Sequence, residues 1–121
     1  MALALLDSVT QVTPAQAGAV VVTGSHGGAS VVPYARAVPA RLYVFNDAGI
    51  GKDRAGIAAL DLLQAAGIAA CAVSHDSARI GEAQDAWANG VVSAVNEQAA
   101  ALGIEVGAAL RTAAEALLRT R

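Results

Sequence analysis

The chain contains one cysteine, Cys71, so no internal disulfide can brace it, and with only two histidines a cysteine-based zinc cluster is excluded. Aromatic side chains are nearly missing. Tyr34, Tyr43, Phe45 and Trp87 are the whole set, which disfavours flavin-type stacking and argues for thin helices that approach one another closely. Basic charge is also short: eight Lys and Arg stand against ten Asp and Glu, a net charge of −2, too little to neutralise a run of phosphates. Nucleic acid is therefore not an expected partner. No apolar run approaches the roughly 20 residues that span a bilayer, and Met1 to Leu6 has neither a basic leader nor a cleavage site. The expectation is a soluble, cytoplasmic chain with no membrane partner.

What the sequence does hold is apolar: 55% of its 121 residues are hydrophobic and 15% charged, enough buried surface to offset the cost of ordering. Its length fits a single α/β domain over residues 1–121 with no room for a second core. Ala19 to Thr23 is an unbroken run dominated by valine, the pattern of a strand covered on both faces in a parallel sheet. Before it, Thr13 and Pro14 predict one short helical turn, while Met1 to Val12 is ambiguous. Ser30 can cap a short helix reaching Val38, where Pro39 stops it, and Arg41 to Asn46 predicts a second strand. A helix is expected from Asp53, with Ala59, Leu60 and Leu63 on its inner face and Gly67 at its end. Ile68 to Val73 reads as a third strand. From Glu82 to Leu102, Trp87, Val91, Val95 and Leu102 keep one helical stripe through Gly90, which predicts a single long helix. Ile104 to Val106 can add an edge strand, and Ala108 to Arg119 a last helix with Arg111, Glu115 and Arg119 at i,i+4 spacing.

Strands joined by helices run parallel, so the fold class is α/β, a small three-layer sandwich with a mostly parallel sheet of the Rossmann or flavodoxin type. In such sheets the ligand crevice lies beyond the carboxyl ends of the strands, where strand order reverses. An order with the first strand between the other two would centre the Gly24 to Gly28 loop.

Three loops after strands, Gly24 to Ala29, Asn46 to Asp53 and Ser74 to Gly81, hold both histidines and the only lysine. Random placement would do this on the order of 1% of the time, although loops are enriched in polar residues. Seven of the eight basic residues are arginine, so Lys52 stands out as a compact cation suited to an anion or, when buried, to acting as a base. His26 and His75 can serve as general acid or base when a carboxylate such as Asp47 or Asp76 fixes the tautomer. Gly24, Ser25, Gly27 and Gly28 form a side-chain-poor turn whose N–H groups suit a phosphate or carboxylate. Arg79 can clamp a carboxylate or pair with Glu82, Asn46 can orient a carbonyl or cap its loop, and Ser74 and Ser77 line the third loop. No G-x-G-x-x-G or P-loop pattern is present, and the G-x-S-x-G elbow is also missing. Asp47, Asp76 and the histidines offer ligands to a divalent metal such as zinc or manganese, but no ligand spacing supports one, so the expected cofactor is none. Cys71 lies in an apolar run and reads as core.

The site set is thus His26, Asp47, Lys52 and His75 for catalysis, with Gly24, Ser25, Gly27, Gly28, Asn46, Ser74, Ser77 and Arg79 for substrate. It predicts a small hydrolase, lyase or isomerase, or the active subunit of one, using acid/base chemistry on a carboxylate- or phosphate-bearing metabolite. The alternatives are a non-catalytic anion-binding or regulatory subunit and a structural assembly unit. Ile57, on an otherwise polar helix side, suggests a homo-oligomer.

Overall fold

The computed structural model describes residues 2–120. Five strands form one sheet in the order β1 (Leu3–Leu6), β2 (Val20–His26), β3 (Leu42–Asn46), β4 (Ala70–Val73) and β5 (Val92–Val95). The first four run parallel and β5 is antiparallel to β4. The helices are α1 (Val32–Ala37), α2 (Ala58–Ala65), α3 (Ala83–Asn89), α4 (Glu97–Ala101) and α5 (Leu110–Leu118), with short 3-10 segments between the earlier strands.

Side chains of the central strands alternate between two cores. Val21, Tyr43, Phe45, Ala70 and Ala72 pack against Val9, Val31, Leu60 and Leu63 from the three crossover segments. Val20, Val22, Leu42, Val44, Cys71 and Val73 pack against Ala86, Ala99, Leu110 and Leu117 from the last three helices. Both faces are covered, which is why these strands read as continuous apolar runs. The small-residue content has a structural use here. Gly90 is buried, and a Cβ on it would overlap the Ala86 carbonyl and the Val73 side chain, so α3 reaches β4 only because this position is bare.

Several expectations need correction. The strand order is sequential, so the strand containing Val20 to His26 is not flanked by the other two; β3 occupies that place, and the loop after it is the central one. Because each crossover steps in the same direction with the same hand, all three fall on one face and no switch point opens between β1 and β4. The single helix expected from Glu82 to Leu102 is three elements. Gly90 ends α3 in an extended conformation, φ −62° and ψ 136°, and the following Val-Val-Ser-Ala-Val run takes its β propensity as β5. Ile104 to Val106 is not a strand; Ile104 is buried while Gly107 and Ala108 hydrogen-bond to Val92. Ser30 lies inside a 3-10 segment and caps nothing, and the helix expected from Asp53 starts at Ala58. Ile57 is buried, so it offers no surface for self-association. The ambiguous start supplies β1 and a 3-10 turn over Val9–Gln11. The Pro14–Gln16 turn capped by Thr13 and the Arg111–Glu115 ion pair at 3.4 Å form as the sequence predicts.

Asn96 fastens the antiparallel strand to the rest. Its buried amide donates to the carbonyls of Leu60 and Ile68, and its Oδ1 accepts from the N–H groups of Ala70 and Ala99. The side chain thus ties α2, β4 and α4 at one point, with no polar atom left unpaired. Asn96→Ala strands these buried partners and is expected to destabilise the fold by on the order of 3 kcal/mol, lowering the melting midpoint by roughly 10 °C in thermal denaturation.

Candidate functional site

Strand β3 ends by delivering Asp47 into the centre of the loop edge, where it is only 3% exposed. Three segments converge on its carboxylate. Oδ1 accepts from the Gly49 N–H at 2.8 Å and the His75 N–H at 3.0 Å, and Oδ2 accepts from the Ser93 hydroxyl at 2.7 Å. Burial pushes the carboxyl pKa up, but these hydrogen bonds and that of the His75 ring outweigh it and hold the group below the usual carboxylate range. Asp47 is therefore an ionised carboxylate inside the protein.

His75 follows β4 by two residues. Its Nδ1 lies 3.3 Å from Asp47 Oδ1 and its Nε2 lies 3.3 Å from Asp76 Oδ1, with the ring about half exposed. The two carboxylates are unequal: the Asp47 side chain is 5% exposed and that of Asp76 86%, so solvent screens the second contact far more. Asp47 is therefore the buried and less screened of the two charges beside the ring, on its Nδ1 side, and Nε2 lies on the side of the exposed Asp76. A Cβ on Gly49 would stand 3.7 Å from the imidazole, so this glycine lies directly beside the ring.

The loop between Asp47 and α2 is strained. Ala48, Ile50, Asp53 and Arg54 all have φ between 51° and 64°, and Gly49 and Gly51 are left-handed as well. For the β-branched Ile50 this conformation is a genuine outlier. Each such residue costs on the order of 1–3 kcal/mol and persists only when its surroundings over-determine it. They do so here. Ile50 N–H donates to Asp47 O and Gly56 N–H donates to Ile50 O, both at 2.7 Å, and a Cβ on Gly56 would overlap the Asp47 carbonyl. The loop is thus folded back onto the stem of Asp47.

Other expected site residues lie at the same edge in different settings. Asn46 is buried and bridges two loops, donating to Ala78 O and accepting from Ala48 N–H. Ser74 and Ser77 hydrogen-bond to each other, and Ser77 also accepts from Val91 N–H. Ser25 accepts from Val9 N–H. In the glycine turn, Gly27 N–H is taken by Asn46 O and Gly28 N–H by His26 Nδ1; Gly24 is bare because the Gly81–Glu82 backbone passes against it. Lys52 is exposed and makes no ion pair among the described residues, while Arg79 pairs loosely with Glu82 at 3.9 Å, both side chains largely in solvent. The structure therefore brings Asp47 and His75 together, and it does not bring His26, Lys52 or Arg79 into contact with them. Cys71 is wholly buried, its thiol pushed up to about 12.

Ser93 is a residue that the sequence does not single out, because it falls within the span Glu82 to Leu102 expected as one helix and off its apolar stripe. The available signal was Gly90 followed by two adjacent valines. Beside Ser93 a cavity of about 350 Å³ opens between Ile50, Arg54 and Ile57 on the loop side and Val95 on β5. Among the described residues, no three His, Cys, Asp or Glu side chains gather where they could hold a metal ion, and no helix is long and apolar enough to cross a membrane.

Because the Asp47 pKa is depressed, its contribution to stability is complete above the unfolded carboxylate value of about 3.9 and is lost as pH falls through the lower folded value. Asp47→Asn should therefore be less stable than the parent by about 1–2 kcal/mol at pH 7, the difference between charge-assisted and neutral hydrogen bonds. Chemical denaturation across pH should show the two proteins converging below about pH 4.

Comparison with protein families, curated proteins and solved structures found no match for this chain.

Proposed function

We propose that the C-terminal edge of the sheet is a proton-transfer site in which His75, oriented by Asp47, acts as general acid and base on a small carboxylate- or phosphate-bearing metabolite. The observation that carries this reading is the buried carboxylate 3.3 Å from Nδ1 of a half-exposed imidazole. A proton taken from substrate at Nε2 makes an imidazolium, which Asp47 stabilises, and the same nitrogen returns the proton to the leaving or rearranged group. Substrate would displace the Asp76 carboxylate from Nε2, at small cost because that pair is exposed. Hydrolysis, elimination and isomerisation all fit this chemistry. The strained loop beside the pair supports the reading, since strain of this kind clusters at functional sites. His26, Lys52 and Arg79 ring the edge as the candidates for holding the anion.

A second reading, an anion-binding or regulatory subunit without chemistry, draws support from the absence of any contact between those three residues and the Asp47–His75 pair. Self-association is also part of the proposal, resting now on Leu3 and Leu5 of the edge strand β1, which are 37% and 36% exposed.

The test is a thermal-melt screen against phosphate, sulfate and small mono- and dicarboxylates, followed by NMR in deuterium oxide on every compound that shifts the midpoint. The expected outcome is deuterium incorporation or product formation that falls by about 10²-fold or more in His75→Ala, while the melt shift persists. A melt shift without turnover in the parent protein would establish the binding subunit instead, and turnover untouched in His75→Ala would remove His75 from the reaction.

A further inference from the structure

We infer that the cavity beside Ser93 is a binding site for the apolar body of a small monocarboxylate, with Arg54 taking the carboxylate. As an assignment of substrate class it rests on the proton-transfer reading above; as a binding site it does not require His75. The cavity holds about 350 Å³, within the range of about 300–1,000 Å³ typical of small-ligand sites. Ile50, Ile57, Val95 and Val106 make its walls apolar, and its polar groups are Arg54 and Ser93.

Charge and shape together select the ligand. Arg54, an exposed residue in the lining, makes no ion pair among the described residues, so its charge is available to an anion at the rim of an apolar cavity. Free phosphate would gain the cation and nothing from the walls, whereas a neutral hydrocarbon would gain the walls and nothing from Arg54. A carboxylate carried on a short alkyl or branched chain uses both.

Two further observations point to the same place. The two loop residues that face β5 across the cavity, Ile50 and Arg54, are themselves left-handed, with φ 64° and 58°. Strain is thus located in the residues that form the cavity's apolar wall and its cation. On the other side Val106 is 62% exposed, an apolar side chain in a turn with no protein partner covering it, and a bound chain would cover it. Ser93 is common to the cavity lining and the pair, since its hydroxyl donates to Asp47 Oδ2.

The experiment is a titration of the full chain, followed by backbone amide NMR, with acetate, butanoate, hexanoate, hexanamide and inorganic phosphate. Affinity should rise by about fourfold per added methylene up to hexanoate, with shifts at Ile50, Val95 and Val106. Hexanamide should bind at least about tenfold more weakly than hexanoate, and phosphate should not shift these residues. Val106→Asp, at an exposed position, should weaken hexanoate at least about tenfold without loss of the fold, and Arg54→Gln should abolish the preference for hexanoate over hexanamide. His75→Ala should bind hexanoate as the parent does. A flat chain-length series, equal binding of acid and amide, or a Val106→Asp protein that binds like the parent would each overturn the assignment. Loss of turnover in His75→Ala alongside any of these would show the cavity inference failing while the proton-transfer reading stands.

Discussion

Because each crossover from β1 to β4 steps the same way across the sheet, all of them are confined to one face, and the opposite face depends on the last three helices for its cover. That constraint shapes everything after β4. The chain must cross to the bare face as α3, return as a strand, and lay down α4 and α5. The return strand runs antiparallel to β4 and brings Ser93 beside the ends of the parallel strands. Asn96, at its far end, locks this reversal through the carbonyls of Leu60 and Ile68. The candidate site is a product of that reversal, since Asp47 and His75 come from the parallel part of the sheet and Ser93 from the antiparallel strand.

A sheet without a switch point lacks the crevice where α/β proteins commonly hold ligands. Here a buried ionised carboxylate fixes the geometry of the central loop. Asp47 takes hydrogen bonds from its own turn, from the β4 loop and from β5, so the three segments are positioned by one charge. The left-handed residues between Ala48 and Arg54 are tolerated because the loop backbone is tied to the stem of the same residue. The ties are local: backbone hydrogen bonds from Ile50 and Gly56 fold the loop back, and the charge-assisted bond from Gly49 N–H to the carboxylate adds to them.

Much of this was legible in the residues. The runs Ala19 to Thr23, Arg41 to Asn46 and Ile68 to Val73 identify strands, and the structure buries every one of these side chains except that of Arg41. The reactive groups also concentrate where strands end, and Asp47 and His75 meet there. Two things were not legible. The helical stripe through Trp87, Val91 and Val95 is real as a spacing, but with small residues on both sides it does not distinguish helix from strand, and Gly90 acts through close contact with Val73, a neighbour that the sequence does not reveal. The glycines of the Gly24 to Gly28 turn look alike in sequence to an anion cradle, yet the N–H groups of Gly27 and Gly28 are used inside the protein, which depends on strand order.

The two borders of the sheet are unequal. Along β5 the segment around Gly107 and Ala108 already hydrogen-bonds to Val92, and Val91 bridges to Ala109, whereas β1 pairs only with β2 and carries neither a charge nor a proline between Leu3 and Leu6. The outer backbone groups of β1 are thus the ones that no other strand among the described residues takes up, so this border of the sheet is the one open to a further strand.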